Sequence, residues 1–155
     1  MNDSRPIVYY VTAHGYGHGV RSHDIISAAA ERFPEWRWII VSDLPEDFVR
    51  SRYRGIDYEL RAGAFDVGMV QKDSIRVDVA ATLERLNALH ERREELLDRE
   101  RKFLKERNAG LVVVDVPALP LRAAREVGVP ALAVSNFTWD WIYEPFLDED
   151  SAWAA

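Results

Sequence analysis

Residues that could do chemistry are concentrated in positions 12–24, TAHGYGHGVRSHD, directly after the apolar run IVYYV. Three histidines and three glycines are interleaved in this segment: His14, Gly15, Gly17, His18, Gly19 and His23. Glycine lets the backbone approach a ligand closely and leaves its amide N–H groups accessible. Imidazole changes its protonation state near neutral pH and can accept a proton from a substrate. The segment therefore predicts a ligand-binding loop that also carries a proton acceptor.

Two phosphate-binding motifs can be compared with this loop. In the dinucleotide fingerprint G-x-G-x-x-G, Gly15 and Gly17 match, but Val20 stands at the third position. The acidic residue that follows the second apolar run, Asp43, lies farther along the chain than the usual 20 or so residues. A P-loop is excluded because no G-K-[ST] follows the glycines. A dinucleotide site is therefore a weak interpretation.

The histidines allow a metal site, structural packing or acid–base chemistry. A metal site is disfavoured, since the glycines keep His14 and His18 off a common helix face and the chain has no cysteine. Packing of one or two of the rings stays an alternative. Acid–base chemistry is favoured for His18 as general base, because the positive end of a helix dipole at its position favours the neutral imidazole. Arg21 adds a cation that we expect to hold a phosphate or carboxylate.

Five short apolar or β-branched runs predict the strands that position this loop, at 6–12, 37–43, 57–62, 111–116 and 131–136. Helical spacing of apolar residues predicts helices at 21–33, 79–107 and 118–128. The long helix is expected to be a solvated surface helix with one core-facing leucine stripe, or a seam for a partner helix. Continuously apolar strands that alternate with helices indicate a doubly wound α/β domain with a parallel, Rossmann-like sheet.

Ligands bind outside the carboxyl ends of the strands in such a sheet. The polar residues that follow the strands are therefore candidate binding residues: Asp66, Gln71, Asp73, Asp115, Asn136 and Asp140. For the loop FDVGMVQKDS, contacts to sugar hydroxyls and a loop that stabilises itself through Asx turns are nearly equal alternatives.

The segment 135–143, SNFTWDWIY, is densely aromatic. Trp139 and Trp141 cannot share a helix face, whereas Phe137 with Trp141, or Trp139 with Tyr143, can. We expect one pair to be core. The other pair either lines a ligand or partner surface, which requires an exposed tryptophan on the edge that carries Asn136 and His18, or completes the packing of the sheet edge.

The composition narrows the classes of partner. The 155 residues carry a net charge of −6 with acidic and basic residues interleaved, which excludes the electrostatic footprint of a nucleic-acid binder. No transmembrane segment or signal peptide is recognisable, and the absence of cysteine also favours a cytoplasmic protein. We expect no cofactor and no metal.

The segments YYVTAHGYGHGVRS, FDVGMVQKDSIRVD and LVVVDVPALPLRAAREVGVPALAVSNFTWDWIY, taken in order, resemble the N-terminal glycosyltransferase-like region of plant L-arabinokinases and related bacterial proteins. Those regions are similar to the N-terminal half of GT-B glycosyltransferases, which holds the acceptor while a C-terminal half holds the nucleotide sugar. The resemblance implies that His18 is the base or an acceptor contact, and that Asp115 is the acidic residue after a central strand. Independently of the resemblance, His14, Gly15 and Gly17 of the loop and Trp139 of the aromatic segment are further candidate substrate-binding residues.

A complete GT-B enzyme needs roughly twice this length, since each half is a domain. We expect residues 1–155 to be a single acceptor-side domain, truncated at its C-terminus and inactive alone, which self-associates through its exposed interdomain face. Two functions stay open: the acceptor-binding half of a glycosyltransferase, and a sugar- or nucleotide-sensing domain without chemistry. The full-length reading frame discriminates them, because a second Rossmann-like domain favours transfer.

Overall fold

The computed structural model describes residues 5–147 as one parallel sheet covered by helices on both faces. The strands are β1 (Ile7–Val11), β2 (Trp38–Ser42), β3 (Tyr58–Ala62), β4 (Leu111–Asp115) and β5 (Ala131–Ala133), in the order β3-β2-β1-β4-β5. Every pairing is parallel, and Val11 is in register with Ser42 on one side and with Asp115 on the other. The predicted doubly wound α/β fold is confirmed, and all five predicted strands are present.

Within the described residues, six helices connect and follow the strands. They are α1 (Tyr16–Arg32), α2 (Glu46–Arg52), α3 (Val79–Glu91), α4 (Arg93–Glu106), α5 (Leu119–Glu126) and α6 (Trp139–Leu147). Among residues 5–147, none of these helices combines the length and the apolar character that a membrane span requires.

The sheet separates two apolar clusters because successive strand residues point to opposite faces. In β1, Val8 and Tyr10 face the cluster that contains Leu97 and Leu104 of α4. Tyr9 and the other odd-numbered residues of β1 face the cluster that contains Ile26 of α1 and residues of α2. Burial on both faces explains why the central strands β1, β2 and β4 read as continuous apolar runs, whereas the edge strands β3 and β5 are partly or fully exposed.

Helix α1 begins at Tyr16, five residues before the predicted start, so Gly17, His18 and Gly19 lie in its first turns. Gly15 makes this early start feasible with a φ of +94°, a conformation that favours glycine. A Cβ atom at Gly19 would lie 2.7 Å from Phe48 Cε1. Gly19 therefore serves the close packing of α1 against the neighbouring segment rather than the approach of a ligand.

The predicted single helix over 79–107 is wrong in one respect, because it is divided at Arg92 into α3 and α4. Helix α4 buries Leu96, Leu97 and Leu104 against the sheet. Helix α3 buries only Thr82. Of the leucine stripe predicted from the sequence, the α4 leucines are therefore buried in the core, whereas the α3 leucines are not fully buried.

Candidate functional site

The candidate site lies where the strand order reverses, at the carboxyl ends of β1 and β4. The Thr12 amide after β1 donates a 2.8 Å hydrogen bond to the Asp115 carbonyl at the end of β4. From this point β1 leads into α1 on one side, and β4 leads into α5. Such a reversal leaves a crevice that binds ligands in doubly wound sheets.

His18 and Asp115 form a hydrogen-bonded pair in this crevice. His18 Nδ1 lies 2.9 Å from Asp115 Oδ1, and the Asp115 side chain is fully buried. A neutral imidazole that donates from Nδ1 keeps the lone pair of Nε2 available to accept a proton. The His18 side chain retains 15 % of its exposure, so a ligand can reach the ring. The pair is chemically suited to proton transfer.

Asp115 is also held by Arg21 and Ser22 of the same helix. Arg21 Nε donates to Oδ2 at 3.1 Å, Arg21 Nη2 donates to Oδ1, and Ser22 Oγ donates to Oδ2 at 3.0 Å. Burial acts to raise the pKa of this carboxyl, but the hydrogen bonds from His18 and the other two donors outweigh burial and hold the pKa below its ordinary value. Asp115 is therefore ionised at neutral pH.

Arg21 joins the ends of two strands. Besides its bonds to Asp115, its Nη1 donates to Asn136 Oδ1 after β5 at 2.9 Å. Its Nη2 lies 3.2 Å from His18 Nδ1. The sequence predicts that Arg21 binds an anionic ligand. In the structure, its guanidinium donates hydrogen bonds to Asp115 and Asn136.

A second group of polar side chains surrounds Asp66 in the β3–α3 loop. Its Oδ1 accepts from Thr12 Oγ1 at 3.0 Å, and its Oδ2 accepts from Trp139 Nε1 at 2.8 Å. Burial raises the pKa of Asp66, and these two hydrogen bonds only partly oppose the increase. A buried carboxyl with a raised pKa beside a crevice is a candidate for ligand contact.

His14 lies against this second group. Its ring is edge-on to Trp139 with centroids 5.3 Å apart. A Cβ atom at Gly68 would lie 1.8 Å from His14 Nδ1, so only glycine leaves room for the ring. Burial lowers the pKa of His14, which favours its neutral form at pH 7.

The aromatic segment connects the two groups. Phe137 lies edge-on to His18 at 5.7 Å and to Trp139 at 5.1 Å, and Trp139 stacks on Tyr143 at 5.9 Å. Trp141, on the other helix face, is 61 % exposed. Trp139 and Tyr143 thus form the inward pair, and the exposure required for a ligand or partner surface is present at Trp141.

An apolar cavity of about 700 Å³ lies beside Trp139. It is bounded by the β3–α3 loop, α3, α5 and α6, with apolar walls from Phe65, Val67, Leu83, Leu86, Leu119 and Tyr143. Asp66 and Asp140 also line it, and Asp140 lies in the first turn of α6. The sequence does not predict this cavity. The α3 leucines line it, but leucines that line a cavity have the same spacing as leucines that pack into a core, so their pattern does not distinguish the two.

Several predicted binding residues lie apart from these groups. Asp73 accepts from the amides of Ile75 and Arg76 in its own turn, as the Asx-turn alternative requires. Gln71 is exposed and pairs through its backbone with Val77. Gly15 and Gly17 are exposed at the start of α1, next to His18.

His14, His18 and His23 do not form one site. His23 is hydrogen-bonded to Asp24 and Ser27 and packs on Tyr53. Within residues 5–147, no three histidine or acidic side chains are grouped as a metal site requires.

The chain is related in sequence to L-arabinokinase of Arabidopsis thaliana, with 31 % identity over 140 residues. The match covers 90 % of this chain but only 13 % of L-arabinokinase. No family model matches the chain.

Solved structures of glycosyltransferases share the fold. CalG4, the calicheamicin glycosyltransferase, matches 97 % of this chain and 43 % of its own with a TM-score of 0.54 and 16 % identity. UGT2 of Phytolacca americana matches 96 % of this chain and 35 % of its own with a TM-score of 0.56 and 14 % identity. The domain therefore has a Rossmann-like fold that is shared with part of these GT-B glycosyltransferases.

Proposed function

We propose that this chain is the acceptor-binding half of a GT-B-type glycosyltransferase. The chain is similar in sequence to one segment of L-arabinokinase, and its fold is that of a GT-B domain. Residues 1–155 form one acceptor-side domain in this proposal, and a C-terminal domain outside this chain holds the nucleotide sugar. The observation that carries the proposal is the His18–Asp115 pair in the crevice between β1 and β4. The proposed setting is the cytoplasm, where a chain without cysteine needs no disulfide.

His18 acts as the general base in the proposed reaction. An acceptor hydroxyl gives its proton to Nε2 while its oxygen forms a bond to the anomeric carbon of the donor sugar. The bond from that carbon to the nucleoside diphosphate breaks, and the diphosphate leaves with the electron pair. Asp115 stays ionised and stabilises the imidazolium that forms, in the manner of a histidine-orienting carboxylate.

The other site residues bind or orient. Arg21, which also donates to Asn136, holds Asp115 in place, while Asp66, His14 and Trp139 contact the acceptor. Gly15 and Gly17 let the ligand approach the first turn of α1. Asp140, in the first turn of α6, is a further contact to the acceptor.

Replacement of His18 in the full-length enzyme tests the proposal. His18→Ala should reduce turnover with a panel of nucleotide sugars by about 10²- to 10⁴-fold while the acceptor KM changes little, because a general base acts in the transition state. His23→Ala is the matched control, since His23 lies outside the crevice and should retain normal turnover. Undiminished turnover in the His18 variant contradicts the assignment.

A sugar- or nucleotide-sensing domain is the second candidate function. The observation that favours it is the position of His18 Nδ1 within contact of both Asp115 Oδ1 and Arg21 Nη2, because side chains held by such a polar network can orient a bound ligand without proton transfer. In that case the wild-type full-length protein transfers no sugar, and His18→Ala changes only ligand affinity.

A further inference from the structure

We propose that Thr12 is a positioning residue, whose hydroxyl holds Asp66 and, through Asp66, Trp139 in the orientation in which they contact the acceptor. This inference rests on the proposed function and assigns a role to a residue that the proposed reaction does not use. Thr12 follows β1 directly, at the point where the strand order reverses, and is only 2 % exposed.

Thr12 contacts both groups of polar side chains in the site. Its amide donates to the Asp115 carbonyl at 2.8 Å. Its hydroxyl donates to Asp66 Oδ1 at 3.0 Å and accepts from the His14 amide at 3.3 Å. A single buried residue therefore connects the end of β4, which carries Asp115, with the β3–α3 loop, which carries Asp66.

The Thr12 hydroxyl determines the orientation of the Asp66 carboxylate. It donates to Oδ1, while Trp139 Nε1 donates to Oδ2 at 2.8 Å. Two donors from different elements, one on each oxygen, fix the plane of the carboxylate. The branched Cβ of threonine limits its χ1 rotamers, so the hydroxyl is itself held in place. An ionised carboxylate accepts about four hydrogen bonds, so Asp66 can still accept from a ligand hydroxyl.

The Thr12 hydroxyl also favours the ionised form of Asp66. Burial raises the pKa of Asp66, and the hydrogen bond from Thr12 is one of the two that oppose this increase. The other titratable groups that face Asp66 are His14 of the β1–α1 loop, His18 of α1 and Tyr143 of α6. These groups remain when Thr12 is replaced, so loss of the hydroxyl should raise the pKa of Asp66 further.

Trp139 extends the effect of Thr12 towards the proposed base. Its indole donates to Asp66, and its ring lies edge-on to His14 at 5.3 Å and to Phe137 at 5.1 Å. Phe137 in turn contacts the His18 ring. The Asp115 carbonyl is bound by the Thr12 amide, which every substitution except proline retains. Loss of the hydroxyl should therefore disturb the acceptor contacts and leave the His18–Asp115 pair in place.

Nuclear magnetic resonance of the indole N–H groups in the ¹⁵N-labelled 155-residue chain tests this inference without a substrate. Trp139→Phe identifies the Trp139 signal, which should shift as the pH falls because Asp66, its acceptor, takes up a proton. Thr12→Val keeps the branched shape but lacks the hydroxyl, and should move the midpoint of this titration upwards by at least about one pH unit. Thr12→Ser keeps the hydroxyl and should titrate like wild type.

The two Thr12 substitutions separate positioning from packing. A packing role predicts the reverse order, because valine retains the buried methyl group of threonine and serine loses it. Ser42→Ala is the matched control, since it removes another buried hydroxyl at the end of the neighbouring strand β2, where Ser42 Oγ accepts from the Leu44 amide at 3.1 Å. This variant should leave the Trp139 titration unchanged.

A turnover measurement on the full-length enzyme, with the substrate pair used for His18→Ala, gives a second readout. Thr12→Val should raise the acceptor KM about 10-fold and change kcat less than about threefold, because it weakens acceptor binding and leaves the base in place. This pattern is the reverse of the one expected for His18→Ala. Thr12→Ser should retain the wild-type KM.

Far-UV circular dichroism verifies that each variant folds, and Thr12→Ala replaces Thr12→Val if the latter does not. The inference is overturned if the Trp139 signal does not titrate in wild type, if Thr12→Val leaves its midpoint unchanged, or if Thr12→Ser departs from wild type as far as Thr12→Val. A turnover defect in His18→Ala would still support the transferase in each case. Conversely, a full-length protein without turnover overturns the proposed transferase, while the titration decides separately whether Thr12 orients Asp66 and Trp139.

Discussion

Asp115 is a buried carboxylate whose charge depends on three donors from α1. Because its folded-state pKa is depressed, its ionised form contributes stability at pH values above its ordinary pKa, and this contribution is lost as the pH falls through the folded-state pKa. Asp115→Asn should therefore lower the free energy of unfolding by about 3 kcal/mol at pH 7, as for a broken buried ion pair. The deficit should shrink below about pH 4.

Urea denaturation of Asp115→Asn and wild type at pH 7 and at pH 3.5 or so measures this difference. Asp24→Asn serves as the control, because the Asp24 carboxylate is exposed and its ion pairs with His23 and Arg52 are screened by water. An equal deficit at both pH values would show that the loss is steric and not one of charge.

Asp66 has the opposite pH dependence. Its folded-state pKa is raised by burial, so folding binds its proton more tightly and stability decreases as the pH rises from the ordinary pKa through the folded-state pKa. Asp66→Asn removes the buried charge while its amide oxygen still accepts from Trp139. The variant should melt at a higher temperature than wild type at pH 7 and gain less at pH 4.

Differential scanning calorimetry at the two pH values measures the effect of Asp66→Asn. Asp73→Asn provides the comparison, since the hydrogen bonds of Asp73 lower its pKa and the exposed turn leaves it in water. Destabilisation of the Asp66 variant at pH 7 would mean that the charge itself holds the loop. A gain would indicate that the carboxylate is kept for ligand binding at the expense of stability.

At the scale of elements, the two glycines in the first turns of α1 have different roles. Gly19→Ala should destabilise the domain by about 1–3 kcal/mol, because its Cβ would meet Phe48 and Leu44 at 2.7 and 2.8 Å. Gly17→Ala, with open space around the new methyl group, should stabilise α1 by roughly 0.5–1 kcal/mol through helix propensity.

Thermal unfolding of the two α1 variants measures this contrast in one helix. The midpoint should fall for Gly19→Ala and rise for Gly17→Ala. Equal shifts of the two midpoints would show that α1 does not pack through Gly19.

The elements differ in how far the sequence predicts them. The central strands were predictable because Val112 and its neighbours are buried on both faces and need apolar side chains throughout. Helix α2, with seven residues, is too short to show a periodicity, and α1 begins within glycines that predict a loop. The position of Asp115 beside His18 follows from strand order, but the sharing of Arg21 between Asp115 and Asn136 depends on side-chain geometry that spacing does not contain.

At the scale of the whole molecule, the β5 edge is the surface that we expect to mediate self-association. All three β5 residues are exposed, with Leu132 at 55 %, and Trp141 nearby is also exposed. An edge strand with exposed apolar side chains pairs readily with another chain. Leu132→Lys should shift the sedimentation of the 155-residue chain towards the monomer at high concentration.

Ile75→Lys is the control for self-association, because Ile75 is an exposed apolar residue of the β3–α3 loop and not of β5. A wild-type chain that sediments as a monomer at every concentration tested contradicts the expected role of the edge.

The donors of Asp115 lie together in the first turns of α1, whereas His18 and Asp115 are separated by 97 positions in the chain. During synthesis, α1 leaves the ribosome long before the strand that carries its carboxylate partner. His18 is therefore unpaired with Asp115 until β4 has emerged and docked beside β1, past the α3 and α4 crossover. The His18–Asp115 pair therefore forms only after β4 has been synthesised, and a ribosome stalled before residue 115 holds a nascent chain without this pair.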